Sequence, residues 1–194
     1  MKNKITIIIT ILLSSISYAQ TPTTIVDIDD GMEFPAGIEG KYYKDIQGFM
    51  DPFAGTWLYT NGNTSFKMVL TKNTMYYTGK YWVDEIVGQY EYIVNNVTIR
   101  STLNNTNPAD EGIWSGKSLV RSYSKPPCSN CPTNERRLEA NISDLDRDMH
   151  GILVLKLITV NGQPAIEAYI FGNTQSTKYN GMELPSGYIT LIRQ

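Results

Sequence analysis

The stretch from Gly55 to Leu70, Gly-Thr-Trp-Leu-Tyr-Thr-Asn-Gly-Asn-Thr-Ser-Phe-Lys-Met-Val-Leu, decides the fold class. Asn61-Gly62 tolerates the positive φ angles of a tight two-residue turn, which pairs Thr60 with Asn63 and sets Trp57 opposite Phe66. Side chains alternate along a strand, so Trp57 and Tyr59 share a face with Phe66, Met68 and Leu70, while Lys67 and Thr71 point away. A three-residue turn would set Trp57 against Lys67. The apolar pattern therefore selects the two-residue loop and a half-buried β-hairpin.

Working outward, Lys72-Asn73 reads as the next turn, pairing Leu70 with Met75 and Met68 with Tyr77. Trp57, Phe66, Met68, Met75 and Tyr77 then share one face that could line a cavity for a small ligand. A small barrel that fills its interior with side chains accounts for the same pattern. Downstream, Asn95-Asn96 pairs Val94 with Val97 and Tyr92 with Ile99. Asn161-Gly162 pairs Val160 with Gln163 and sets Leu157 against Ile166, Leu155 against Ala168 and Leu153 against Ile170. Leu138, Ala140 and Ile142 alternate with Glu139, Asn141 and Ser143, and residues 113–123 and 188–193 also read as strands. Tyr42, Tyr43, Ile46, Phe49 and Met50 place a short helical turn before the first of the hairpins. About ten strands of mostly meander connectivity, with no long helical period, predict an all-β fold. The expectation is a single antiparallel barrel of about 8–10 strands, with a β-sandwich as the alternative.

Two long loops, residues 104–111 and 124–135, interrupt the meander without marking a domain boundary. Gly31-Met-Glu-Phe-Pro-Ala-Gly37 is echoed by Gly181-Met-Glu-Leu-Pro-Ser-Gly187, and nothing else repeats with it.

At the other end of the chain, Lys2 and Lys4 precede an apolar run from Ile5 to Ile16, and Ser17 and Ala19 place small residues before a cut between Ala19 and Gln20. That run is 12 residues, short of the ~20 that span a bilayer as a helix. The expected organisation is a signal peptide over residues 1–19, an extended segment over 20–37 and a β-barrel domain over 38–194. Export to the periplasm, the cell surface or the medium follows. Cleavage leaves 15 basic groups against 19 acidic ones, a formal charge of -4, because the basic total falls from 17 by Lys2 and Lys4. Such a chain has no basic excess for nucleic-acid phosphates, so no nucleic-acid partner is expected, and no transmembrane span either.

Few residues offer catalytic or metal chemistry. Cys128-Ser-Asn-Cys131, flanked by Pro127 and Pro132, reads as a short structural disulfide in an oxidising compartment. A redox pair would need a helix at the first thiol, and zinc would need two more ligands where His150 is the only histidine. Asp144, Asp146 and Asp148 imitate the start of a calcium loop, but Met149 stands where a glycine belongs and Leu155 where the closing Glu belongs. A solvated turn is the simpler reading, as it is for Asp27, Asp29 and Asp30. His150 lacks any nucleophile motif and reads as a turn residue. Asp84-Glu85 and Asp110-Glu111 point to opposite faces of a strand and form no ready acid pair. No enzyme, cofactor or metal site is expected.

Gly40-Lys-Tyr-Tyr-Lys-Asp-Ile46, Asp51-Pro-Phe-Ala-Gly-Thr-Trp57, Tyr59-Thr-Asn-Gly-Asn63, the Pro-flanked Cys-x-x-Cys and the closing Gly-Tyr-x-x-Leu-Ile-Arg resemble a family of small exported proteins from flavobacteria and relatives. That family carries only a domain-of-unknown-function label, so the resemblance implies export and fold but no activity. Gly55-Thr-Trp57 after a helical turn is also similar to the first strand of lipocalins and other calycins. That likeness implies a lipocalin-like barrel in which Arg193 packs on Trp57. Together these readings describe a noncatalytic barrel that binds a small hydrophobic or amphipathic molecule. The alternative is a cell-envelope structural or protein-interaction module with a packed core.

Overall fold

The computed structural model describes residues 21–30, 38–104, 112–120, 126, 132, 135–172 and 180–194. The strands are β1 (Thr24–Asp27), β2 (Lys41–Lys44), β3 (Gly55–Asn61), β4 (Thr64–Tyr77), β5 (Trp82–Val94) and β6 (Val97–Ser101), followed by β7 (Ile113–Val120), β8 (Arg137–Asp144), β9 (Met149–Val160), β10 (Gln163–Gly172) and β11 (Gly187–Arg193). From β5 the antiparallel pairing runs through β4, β3, β11, β10, β9, β8 and β7, and β7 pairs back onto β5. These eight strands form a closed barrel, which decides against the sandwich. Three strands stand outside the ring. One edge of β5 takes β2 at Trp82 and Val83, β7 at Ile86 and Gly88, and β6 at its far end, while β1 adds to β2. The β1–β2 and β2–β5 pairs are parallel, a feature that tight-turn reasoning does not anticipate.

The hairpins follow their turn chemistry. At Asn161-Gly162, both residues sit at positive φ (51° and 79°), and every cross-strand pair expected there is present, including Leu157 with Ile166 and Leu153 with Ile170. At the first hairpin the loop is Gly62-Asn63, with Gly62 at φ 58°, so Asn61 pairs with Thr64 and Trp57 with Met68. The register differs from the expected one by two residues. Because two is the period of a strand, Trp57, Phe66, Met68 and Leu70 keep their common buried face. At Asn95-Asn96 the Val94–Val97 pair holds, but a bulge after Tyr92 matches that residue with Arg100 rather than Ile99.

The turn expected at Lys72-Asn73 is absent. β4 continues to Tyr77 along β5, with a bulge between Asn73 and Tyr76, and reverses only at Thr78–Tyr81, where Gly79 takes φ 90°. Met75 and Tyr77 therefore leave the common face and are exposed, at 45% and 41%. The helical turn is also displaced. Residues 41–44 form β2, and the 3-10 turn lies at Asp51–Phe53, directly before β3.

Trp57, Phe66, Met68, Tyr90, Ile113, Leu138, Ile142, Leu153, Leu155, Ile166 and Leu191 are buried in one continuous core. Phe66 lies 5.6 Å from Tyr90 and 6.2 Å from Tyr92, centroid to centroid. Where the strands approach most closely the chain uses glycine. A Cβ on Gly88 would stand 2.5 Å from the Val69 carbonyl oxygen and 2.7 Å from a Leu70 methyl, and one on Gly116 would stand 2.7 Å from the Ile86 carbonyl oxygen. Gly88→Ala is expected to lower stability by about 1–3 kcal/mol, read as a lower midpoint in urea unfolding. An unchanged midpoint would mean that the β4–β5–β7 seam is looser than described.

Candidate functional site

The end of the barrel that carries the start of β3, the β9–β10 turn and Arg193 is here the lower end. Three carboxyl groups organise it. Asp84 accepts the hydroxyl proton of Tyr42 at 2.6 Å, the Met75 N–H at 2.9 Å and the Asp45 N–H at 3.0 Å. Asp45 in turn accepts the N–H groups of Phe49 and Met50, at 2.8 and 2.9 Å, and the Lys72 ammonium at 2.8 Å. Asp51 takes a second bond from Lys72. Burial, and then the bond to Asp84, raise the Tyr42 pKa, so its hydroxyl stays protonated and donating. Lys72 loses from its own burial but gains more from Asp45 and Asp51, and its pKa is raised.

Beside this network Trp57 is fully buried, and its indole N–H donates to the Phe53 carbonyl at 2.8 Å. The Arg193 guanidinium lies over the Trp57 ring, 5.3 Å from its centroid, and Nη2 donates to the Ala54 carbonyl at 3.0 Å. Gly55, at φ 139°, keeps the space that this arginine occupies, since a Cβ there would come within 3.2 Å of Nη2. Between this cap and the β9–β10 hairpin lies a groove of about 330 Å³, lined by Pro52, Leu157, Thr159, Pro164, Ala165 and Arg193.

At the upper end, Asp144 carries a fully buried side chain and is no part of a solvated turn. Arg100 Nε donates to it at 2.9 Å and the Glu183 N–H at 2.7 Å, while Arg100 also reaches Asp146 and Glu183. Burial, and then the nearby Asp144 charge, raise the pKa of Tyr90, whose hydroxyl donates to the Ser143 carbonyl. Asp29 is likewise held rather than solvated, in a two-bond pair with Arg136. Among the described residues no group of three or more His, Cys, Asp or Glu side chains could hold a metal ion.

Of the five residues expected to line a cavity, Trp57, Phe66 and Met68 meet in the core, whereas Met75 and Tyr77 do not join them. His150 is a strand residue of β9 rather than a turn residue, paired with Ser143. Its Nδ1 lies 2.9 Å from Ser143 Oγ, which also accepts the Trp114 indole N–H at 3.2 Å. Cys128, Cys131, the segment 1–20 and the first copy of the Gly-Met-Glu echo lie outside the described residues. Among the described residues no helix is long and apolar enough to cross a membrane.

A family model described as a family of unknown function (DUF6705) matches residues 1–194. The chain belongs to this family. No curated protein and no solved structure matches it. In this DUF6705 member, sequence reasoning missed Asp45, Lys72 and Asp84, although one signal was present. Lys72 continues the buried series Phe66, Met68, Leu70, as Asp144 continues Leu138, Ala140, Ile142. A charge in the inward register requires a partner.

Removing Asp144 leaves the Arg100 guanidinium without its buried counter-charge. Asp144→Ala is expected to cost about 3–5 kcal/mol in urea unfolding, whereas Asp146→Ala, at a largely exposed side chain, is expected to cost under ~1 kcal/mol. Equal costs would show that the upper cluster is not organised around Asp144.

Proposed function

We propose that this chain is an exported, noncatalytic binding protein whose barrel is a filled scaffold and whose recognition surfaces lie outside the barrel interior. The observation that carries this reading is the state of the three core residues expected to line a cavity. Trp57, Phe66 and Met68 are fully buried, and Phe66 is in ring contact with Tyr90 and Tyr92. Small inward residues are met by large ones, as Ala168 is by Leu155 on one side and Ile189 on the other. A ligand inside the barrel would have to displace side chains packed at the density of a protein core. The chemistry offered by the surface is narrow as well. The Ser143–His150 contact has the spacing of a nucleophile and base, yet the His150 ring meets the Trp114 ring edge-to-face at 6.5 Å, and among the described residues no carboxylate forms an ion pair with it as a third member would.

Ala168→Phe tests the filled scaffold. Overpacking is expected to cost about 1–3 kcal/mol or to prevent folding outright. Retained stability would overturn the reading, because only an open interior accepts the added ring. Export rests on the N-terminal pattern. Intact-mass analysis of the protein recovered outside the cytoplasm is expected to find a chain beginning at Gln20, and a full-length chain confined to the cytoplasm would refute it.

A further inference from the structure

We infer that the groove at the lower end is a binding site for small carboxylates with a compact apolar body, held through Arg193. The inference rests on the surface-binding reading above and gives it a site and a ligand class.

The cation is the first argument. Arg100, Arg136 and Arg147 are each ion-paired, to Asp144, Asp29 and Glu183 among others. Arg193 is held by neutral groups, the Trp57 ring face and the Ala54 carbonyl, and among the described residues no carboxylate pairs with it. A guanidinium carries five N–H donors in one plane. Stacking occupies its face and one bond occupies Nη2, which leaves donors at its edge for a planar, two-oxygen acceptor.

The walls are the second. The groove of about 330 Å³ is at the small end of ligand-pocket sizes, and Pro52, Leu157, Pro164 and Ala165 give it apolar sides, with Thr159 at the rim. Among the described residues no acidic residue lines it, and Arg193 is the one basic residue that does. A single fork beside apolar walls matches a monocarboxylate. A polyphosphate or a nucleic acid would need several cations, and a neutral hydrocarbon would leave the arginine unused.

The site is also pre-formed. Trp57 is fixed by its bond to Phe53, Arg193 by its stack and its bond to Ala54, and the opposite wall by the β9–β10 hairpin. Little ordering is therefore required on binding.

Octanoate and octan-1-ol, titrated into the exported chain by calorimetry and by ligand-observed NMR, separate the charge from the apolar body. Octanoate is expected to bind about tenfold or more tightly than octan-1-ol, the difference that a charge-assisted hydrogen bond supplies. Arg193→Gln is expected to remove that preference and Arg193→Lys to restore part of it. Thr159→Trp, which fills the groove from its β9–β10 wall, is expected to weaken both probes while the urea midpoint stays unchanged. Equal affinity for the two probes, no binding of octanoate, or an Arg193→Gln variant that binds octanoate as before would each overturn the site. Those results would leave the filled scaffold standing, since Ala168→Phe tests it separately. Magnetisation transfer from Leu153 and Ile166 to octanoate, instead of from Thr159 and Pro164, would overturn both.

Discussion

Asp84 places a carboxyl group with 2% exposure inside the lower end of the molecule, and much of that end is arranged to satisfy it. A buried carboxyl without partners costs several kcal/mol, so its three donors are structural requirements. The Tyr42 hydroxyl brings β2 alongside β5, and the Asp45 N–H turns the chain back after β2. The Met75 N–H reaches Asp84 only because β4 bulges there, at the expense of a left-handed φ of 56° in a residue with a side chain. Asp45, once fixed, holds the N–H groups of Phe49 and Met50 and receives Lys72. The approach to β3, and with it the position of Trp57, thus descends from one buried side chain on β5.

The upper end repeats the device with other residues. Asp144 ends the inward series of β8 as Lys72 ends that of β4, and Arg100 from β6 reaches over the barrel to meet it. A buried ion pair contributes little net stability over an apolar alternative of the same size, but it penalises every arrangement in which one member lacks the other. What Arg100 and Asp144 fix is therefore position. They hold β6, which pairs with no barrel strand except β5, and the segment at Glu183 against the mouth of the barrel. Both ends are thus tied by charged groups, and the middle between them is filled by aromatic and aliphatic side chains.

The parts legible in the sequence are those set by neighbours in the chain. Asn161-Gly162 states its own turn type, and the Leu157–Ile166 and Leu153–Ile170 pairs follow without tertiary information. Asn61-Gly62 leaves two choices of loop that differ by two residues, and the alternating pattern that rules out a one-residue slip cannot separate them. Lys72-Asn73 looks like a turn because its chemistry is that of a turn. What keeps β4 extended there comes from Asp45, Asp51 and Asp84, at sequence distances that no local rule spans. The placement of Arg193 over Trp57 followed from a short motif likeness, whereas the groove did not. Its walls come from the Pro52 turn and the β9–β10 hairpin, which are brought together only by closure of the barrel.

Two cations of the lower end, Lys72 and Arg193, are in opposite electrostatic states. Lys72 sits between Asp45 and Asp51, its charge compensated and largely withdrawn from solvent. Arg193, at the same end of the barrel, is held instead by a π face and a carbonyl oxygen, neither of which carries a formal charge. The difference matters because an ion pair cancels most of the field that a cation projects, while a stack on an indole orients the guanidinium and leaves its net charge intact. The Trp57 indole N–H is already committed to Phe53, so the ring can offer Arg193 only its face, and the donor edge of the guanidinium remains outside the stack. A positive group so oriented, beside apolar walls and with no acid among the described residues that line the groove, is an arrangement in which positioning and recognition are served by different sides of one side chain.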